Sequence, residues 1–271
     1  MALSTSWRRA PLLLVTGLVA FFGCSESAPP RGPSNSGHTA AGPIKATEPL
    51  GWLGLAPSPA PDDASPGFLP TDAQHPLVAV DGTRLARSLL AIDTRGTIAR
   101  FTAGAGTKIR HGCDGHELDV TPFIGPRLAP GVVWLLPPGM PASWHPTPLA
   151  IVARSTTPAR RDYAIGPLVI ELARTAKLRG SLVISRAGTR IHAAPIERQL
   201  MDGADDAPID LAEGGPAIPE PVAAWSITGD AILVVLHEPS YEGDSLRAVL
   251  VETSSARALD DMQLYLYRCA F

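Results

Sequence analysis

The chain has 271 residues, with 23 Lys and Arg against 26 Asp and Glu, a net charge of −3 at pH 7 and 45% hydrophobic residues. This length is enough for one or two globular domains, and the balanced charge provides no basic surface for a nucleic-acid partner. The sequence contains no P-loop, no dinucleotide-binding glycine motif and no H-E-x-x-H motif, so we expect no cofactor.

Residues 1–23 have the pattern of an export signal. Arg8 and Arg9 precede an apolar run at 11–22, which is too short for a permanent transmembrane helix and ends at Gly23 and Cys24. This pattern resembles the signal of bacterial lipoproteins, in which the cysteine receives lipid and becomes the mature N-terminus. The resemblance implies lipidation at Cys24 and a lipid anchor on the extracytoplasmic side of a membrane of the bacterial cell envelope. Ordinary signal cleavage a few residues later is the alternative.

Residues 24–74 are predicted to form a disordered tether. The segment contains ten prolines, interleaved with Gly, Ser and Ala, and such a composition buries too little apolar surface to offset the entropy of ordering the chain. An apolar island at 50–55, centred on Trp52, interrupts this composition. We expect the island to dock on the protein's own body, with docking on a partner as the alternative.

From residue 75 to residue 271 the pattern is that of a β-rich globular domain. Short apolar runs alternate with Gly, Pro and Asp turn residues, which favours an antiparallel β-sandwich or a barrel-like body. The run at 132–136 is apolar at every position and predicts a buried central strand. One short helix is predicted at 196–201, because Pro195 suits a first helical turn and Gly203 lies just beyond the end. A further domain boundary near 155–162 is left open.

The three cysteines of the chain are Cys24, Cys113 and Cys269. If Cys24 carries lipid, the other two remain as one pair in an oxidising compartment, and we expect them to form a disulfide. The alternative is that both are small buried apolar residues that do not meet.

The densest polar cluster contains the candidate metal ligands His111, Asp114, His116 and Glu117. The two histidines are five residues apart, so they face opposite sides of a continuous strand and converge only if the chain bends at its glycines. A solvated glycine turn is therefore the preferred interpretation, and no metal is expected.

A second polar stretch, at 237–245, lies between two apolar runs. Gly243 to Leu246 resembles the nucleophile block of the GDSL serine esterases, which would make Ser245 a nucleophile. Those enzymes place their base histidine far downstream of the serine, whereas no histidine follows Ser245 here. We therefore interpret the stretch as a hairpin loop with binding potential, whose candidate residues are His237, Glu238, Tyr241 and Glu242.

The functional expectation is a non-catalytic binding or structural module that is held on the membrane by its N-terminal lipid and meets an unidentified envelope partner. The alternative is an envelope hydrolase or metal-dependent enzyme that uses the 237–245 loop or the 111–117 cluster. Trp134, Trp144 and Trp225 could form a sugar-binding platform, but tryptophans among apolar runs are more often core residues.

Overall fold

Seventeen strands, paired antiparallel throughout, make up the regular structure that this computed structural model describes. The described residues are 50–56, 77–80, 87–110, 117–137, 139–141, 143–198, 207–215, 217–239 and 243–267. The prediction of an all-β, antiparallel body is confirmed. Within these ranges no helical segment has the length and apolarity needed to span a bilayer.

Seven strands form one sheet, whose order along the sheet is second, first, seventh, third, fourth, sixth, fifth. They are β1 (Trp52–Ala56), β2 (Leu77–Val80), β3 (Ser88–Ile92), β4 (Ile98–Ala103), β5 (Thr107–Arg110), β6 (Glu117–Ile124) and β7 (Gly131–Leu136). Because β2 also pairs with β6, the sheet closes on itself. We call it the closed sheet, and it has the barrel-like form that the sequence suggested.

The remaining ten strands form two five-stranded sheets. The middle sheet contains β8 (Thr147–Pro148), β14 (Glu220–Ser226), β15 (Ile232–Pro239), β16 (Gly243–Val251) and β17 (Ala256–Tyr267), with β17 and β8 at its edges. The outer sheet contains β9 (Ile151–Thr157), β10 (Arg160–Ile165), β11 (Leu168–Ala176), β12 (Arg179–Arg186) and β13 (Thr189–Glu197) in sequence order. Residues 155–162, where a domain boundary was left open, form the β9–β10 hairpin inside this sheet.

The middle sheet is buried on both faces, and β15 shows why. Leu233 and Val235 pack with residues of the closed sheet, whereas Val234 and Leu236 pack with residues of the outer sheet. Successive side chains of a strand point to opposite faces, so a strand between two layers must be apolar at every position. Each of these side chains, once buried, contributes roughly 1.5–3 kcal/mol.

The apolar island at 50–55 is part of the body, as predicted. Strand β1 pairs with β7 at five positions, from Trp52 opposite Leu135 to Ala56 opposite Gly131. Leu53 and Leu55 point into the core shared with the middle sheet. The prediction of a disordered tether is therefore wrong for residues 52–56, because the island's alternating side chains complete a sheet. Leu50 and Gly51 are described as well and are buried, and the other residues of the 24–74 range lie outside the described part.

The predicted helix at 196–201 is wrong where the structure describes it. Strand β13 continues through Ile196, which lies opposite Gly180 of β12 and is buried in the core between the outer and middle sheets. Pro195 is tolerated because β13 is an edge strand. The Arg198 N–H donates to Leu178 C=O. Backbone groups of an edge strand point toward the neighbouring strand only at every second residue, so the nitrogen of Pro195, three residues earlier, points away from β12 and needs no acceptor there. Residues 199–201 lie outside the described part.

Three tryptophans form the centre of the core between the closed and middle sheets. The ring centroid of Trp134 lies 6.1 Å from that of Trp144 and 5.9 Å from that of Trp225, and all three side chains are buried. The Trp134 indole N–H donates to Leu50 C=O at 2.7 Å, and the Trp225 indole N–H donates to Asp93 C=O at 3.1 Å. The interpretation of these residues as core is confirmed.

Asp93, in the turn after β3, is one of two acidic side chains buried among the described residues. One carboxylate oxygen accepts the backbone N–H groups of Arg95 and Thr97 at 2.9 and 2.8 Å, and the other accepts that of Ala129 at 2.8 Å. Burial raises the pKa of the Asp93 carboxyl. The hydrogen bonds from the N–H groups of Ala129, Thr97 and Arg95 together lower the pKa by more than burial raises it, so the net shift is downward. Asp93 thus joins two loops of the closed sheet.

Candidate functional site

Several residues predicted from the sequence lie outside the described part of the chain: Cys24, Cys113, Cys269, His111, Asp114, His116, Tyr241 and Glu242. Glu117 is the first residue of β6. Among the described residues, no group of three or more His, Cys, Asp or Glu side chains is placed to hold a metal ion. The disulfide, the lipidated cysteine and the 111–117 cluster therefore stay predictions.

His237 and Asp244 come together at the end of the β15–β16 hairpin. The His237 Nε2 atom lies 2.9 Å from Asp244 Oδ1, and the Asp244 side chain is only 2% exposed. In the ladder, His237 is opposite Leu246 and Asp244 is opposite Pro239, so the pair is a diagonal contact on one face. That face is the one that Leu246 turns toward the closed sheet.

Ser245 points to the other face of the same hairpin. It lies opposite Glu238, and its side chain shares the face of Arg247 and Val249, which is turned toward the outer sheet. His237 therefore cannot serve Ser245 as a base without a change of register, and a serine without a positioned base is a poor nucleophile. The hairpin holds a histidine–aspartate pair and a serine, but on opposite faces.

We expect Ser245→Ala to change the free energy of unfolding by less than about 1 kcal/mol. His237→Ala should cost more, about 1–3 kcal/mol, because it removes a hydrogen-bond partner of the buried Asp244 carboxylate. Denaturant unfolding of both variants measures the difference. A fluorophosphonate probe should leave Ser245 unlabelled, and labelling that disappears in His237→Ala would contradict this geometry.

A groove of about 330 Å³ lies between the outer and middle sheets. Strands β12 and β13 form one wall, strands β15, β16 and β17 form the other, and residues 217–219 form the rim. Leu182, Ile196, Leu236 and Val249 provide a buried apolar lining. The volume is at the lower end of the range for sites that bind small molecules.

The rim of the groove is tied to the middle sheet. The Ala217 N–H donates to Pro239 C=O at 2.7 Å, and Ala217 has a positive φ of 66°, which is uncommon for alanine. Pro219 follows and is buried, so this part of the rim has little freedom to rotate. The groove is thus a formed feature of the fold.

The polar side chains that line the groove are those of Arg247, Glu238, His192 and Glu197. The Arg247 Nη2 atom donates to Glu238 Oε1 in an ion pair between two partly buried side chains. The Arg247 Nε atom is buried, and no described residue accepts a hydrogen bond from it. Burial lowers the pKa of the His192 imidazole, and the Arg247 charge lowers it further. His192 is therefore predominantly neutral at pH 7.

The lowered pKa of His192 can be measured directly by NMR titration of its imidazole. We expect a value below the ordinary 6.5 in the wild type and an increase in Arg247→Met, which removes the nearby cation. Because the folded pKa is lowered, stability contributed by neutral His192 is present above pH 6.5 and declines as the pH falls toward the folded pKa. A value above 6.5 in the wild type would contradict the burial of this side chain.

No protein-family model, no curated protein and no solved structure matches this chain. The groove therefore has to be interpreted from its own residues. Sequence reasoning selected Glu238 but missed Arg247 and His192. The signal for Arg247 was present, since it is the charged residue in the otherwise apolar run at 246–251. His192 had no such signal, because it reaches the groove through the pairing of β13 with β12.

Proposed function

We propose that the chain is an exported, lipid-anchored protein of the bacterial cell envelope whose β-rich body binds a ligand or partner without catalysing a reaction. The observation that carries the binding role is the groove between the outer and middle sheets, which combines an apolar lining with one arginine–glutamate pair. Sites that bind small ligands commonly have this composition, with few polar groups that fix orientation.

Support for the envelope location comes from the sequence. The basic start, short apolar run and Gly23–Cys24 junction resemble a bacterial lipoprotein signal. The cysteine count agrees with this proposal, because lipidation of Cys24 leaves Cys113 and Cys269 as a pair that can form a disulfide. A disulfide of that span would stabilise the body by roughly 4–5 kcal/mol on the chain-entropy model.

An envelope hydrolase is the second candidate, and the His237–Asp244 contact is the observation that favours it. An aspartate that orients a histidine is a recurring part of nucleophilic active sites. Against this candidate, the serine of the hairpin, Ser245, lies on the opposite face. If the enzyme is instead metal-dependent, the 111–117 cluster would provide the metal ligands.

Cys24→Ser tests the anchor. We expect the wild-type protein to partition with membranes and to extract into detergent, because the lipid on Cys24 would hold it in the bilayer. The variant should be released or should keep its signal peptide, and the mature masses should differ by the lipid. Identical partitioning and identical mature masses would rule out lipidation at Cys24.

A further inference from the structure

We infer that an exposed patch on the closed sheet docks the body on the anionic surface of a lipid bilayer. The patch, called the β4 patch after its central strand, consists of Ile98, Arg100, Ile124, Arg127 and Arg95. This inference rests on the proposed envelope location and names the surface through which the body would meet the membrane. The patch lies on a different sheet from those that form the groove.

The apolar part of the β4 patch consists of two isoleucines that point away from the interior of the closed sheet. Ile98 is 50% exposed and Ile124 is 57% exposed, whereas Phe101 of β4 is buried inside the sheet. Ile124 lies opposite Thr102 in the ladder, so it shares a face with Ile98 and Arg100. Water offers these two side chains no apolar contact, whereas the boundary between lipid headgroups and acyl chains does.

Three arginines, Arg95, Arg100 and Arg127, lie around these isoleucines. Arg95 is in the turn before β4, and Arg100 is on the strand itself. Arg127 is in the loop after β6, and both ends of this loop contact the β4 region. At its start, Gly125 lies so close to the Arg100 carbonyl that a Cβ atom there would be 2.8 Å from the oxygen. Near its end, the Ala129 N–H donates to a side chain of the turn that holds Arg95. The loop therefore runs beside β4 and brings Arg127 to the patch.

The positive charge of the β4 patch is not neutralised by its surroundings. Its three arginines are exposed, and no carboxylate of the described residues pairs with them. The acid nearest in the sequence is Asp93, which is buried and whose oxygens accept backbone N–H groups. Residues 82–113 contain six Lys and Arg against this one acid. The patch is therefore a local cationic surface on a chain whose net charge is −3.

A lipid bilayer fits both parts of the patch. Lipid phosphates attract exposed arginines, and isoleucines are stabilised at the boundary between headgroups and acyl chains. A hydrated anionic polymer would attract the arginines but leave the isoleucines in water. The rest of the charge distribution favours the same orientation. Residues 199–271, which include four strands of the middle sheet, carry 13 acidic residues against three Lys and Arg, so an anionic surface would repel that part of the body.

The chain that leads from the proposed anchor enters the body at the same level of the closed sheet. Trp52, the first residue of β1, lies opposite Leu135 of β7. Leu135 lies opposite Ala91 of β3, and Ala91 lies opposite Ala99 in the middle of the β4 patch. Neighbouring strands are about 4.8 Å apart, so the entry point is about 14 Å from the patch along the sheet. Docking through the patch therefore keeps this entry point near the bilayer that would hold the lipid on Cys24.

Tryptophan substitution combined with brominated lipid tests the contact, because bromine on acyl chains quenches only tryptophans that reach them. The full chain is reconstituted in vesicles of phosphatidylglycerol and phosphatidylcholine, or of phosphatidylcholine alone. We expect Ile98→Trp to add emission that brominated lipid quenches about twofold or more in the anionic vesicles. This quenching should be absent in neutral vesicles and at about 1 M salt, where the screening length is about 3 Å. Val152→Trp, at a 54% exposed position of the outer sheet, is the matched control and should stay unquenched.

Charge reversal tests the arginines directly. In the Ile98→Trp chain, Arg100→Glu together with Arg127→Glu should weaken docking at least about 25-fold, since each basic residue near an anionic surface strengthens binding about fivefold. Quenching should then fall to the level of Val152→Trp. Arg154→Glu together with Arg190→Glu, at exposed positions of the outer sheet, changes the net charge equally and should leave quenching unchanged. Equal thermal unfolding midpoints would show that both variants keep the fold.

The anchor and the β4 patch give separate readouts. Flotation with neutral vesicles reports the lipid on Cys24, whereas quenching at position 98 in anionic vesicles reports the patch. Equal quenching of Ile98→Trp and Val152→Trp, or quenching that survives the charge reversal, would overturn this inference even with the lipid in place. If dextran sulfate changes the emission of Ile98→Trp and vesicles do not, the patch binds an anionic polymer and the inference is wrong. Salt-sensitive quenching in a chain that does not float with neutral vesicles would support the patch and contradict the anchor.

Discussion

Asp93→Ala is expected to lower the free energy of unfolding by about 3–5 kcal/mol. The substitution leaves the N–H groups of Arg95, Thr97 and Ala129 without their acceptor, in a place where the Asp93 side chain is 1% exposed. Each unsatisfied buried donor costs roughly 1–3 kcal/mol, and water that enters the space recovers part of the total. Denaturant unfolding of wild type and variant gives the difference.

The pH dependence of this difference separates the carboxylate from simple packing. The Asp93 pKa is lowered in the folded protein, so its contribution is fully present above the ordinary value of 3.8 and is lost as the pH falls through the folded pKa. The gap between wild type and Asp93→Ala should therefore be constant near neutrality and narrow in acid. Asp261→Ala, at an exposed position of β17, is the control and should change stability by less than about 0.5 kcal/mol. A gap that does not depend on pH would contradict the role of the charge.

A chain truncated to begin at residue 75 is expected not to fold. The truncation removes β1, which lies between β2 and β7 and without which the closed sheet cannot close. It also removes Leu53 and Leu55 from the core shared with the middle sheet. A chain that begins at residue 40 retains β1 and is the matched control. Circular dichroism and cooperative thermal unfolding distinguish the two outcomes.

A single substitution tests the same point without truncation. Leu53→Ala should cost about 2–4 kcal/mol, as is typical for a leucine removed from a packed core. If the chain beginning at residue 75 unfolds with the same midpoint as the longer chain, β1 is dispensable and the assignment of residues 52–56 to the body is wrong. If β1 is required, residues 52–56 belong to the body and not to the tether predicted at 24–74.

The proposed binding role uses one face of the β15–β16 hairpin, and the hydrolase candidate uses the opposite face. His237 and Asp244 face the closed sheet, whereas Glu238, Ser245 and Arg247 face the outer sheet. Variants at Arg247 and Glu238 should therefore change ligand binding, and variants at His237 should change stability. A loss of binding that follows His237 and spares Arg247 would reverse this assignment.

Local sequence patterns were enough to predict the all-β character of the body and the burial of several strands. Local alternation and turn residues are sufficient for this, because the faces of a strand are set by neighbours along the chain. The apolar run at 132–136 became β7, and its Trp134, Val133 and Leu135 are fully buried. The docking of the apolar island on the body followed from the same local signal.

Other features depended on contacts between residues that are distant in the sequence. Pro195 and Ile196 suggested a helix start, but the pairing of β13 with β12 and the burial of Ile196 held the segment extended. Tertiary packing overrides weak local propensity in such cases. The position of β1 next to β7, about 80 residues away, likewise could not be deduced from the proline-rich composition around it.

The candidate site depends on strand register and on the packing of two sheets. The register of β15 and β16 decided that Ser245 and His237 point to opposite faces, although they are eight residues apart in one hairpin. The packing of two sheets brought His192 of one beside Arg247 of the other. Local alternation assigns side chains to faces within a strand, but the order of strands and the layering of sheets decide which faces meet. The groove exists because the outer sheet packs on the middle sheet, and no short stretch of this sequence encodes that packing.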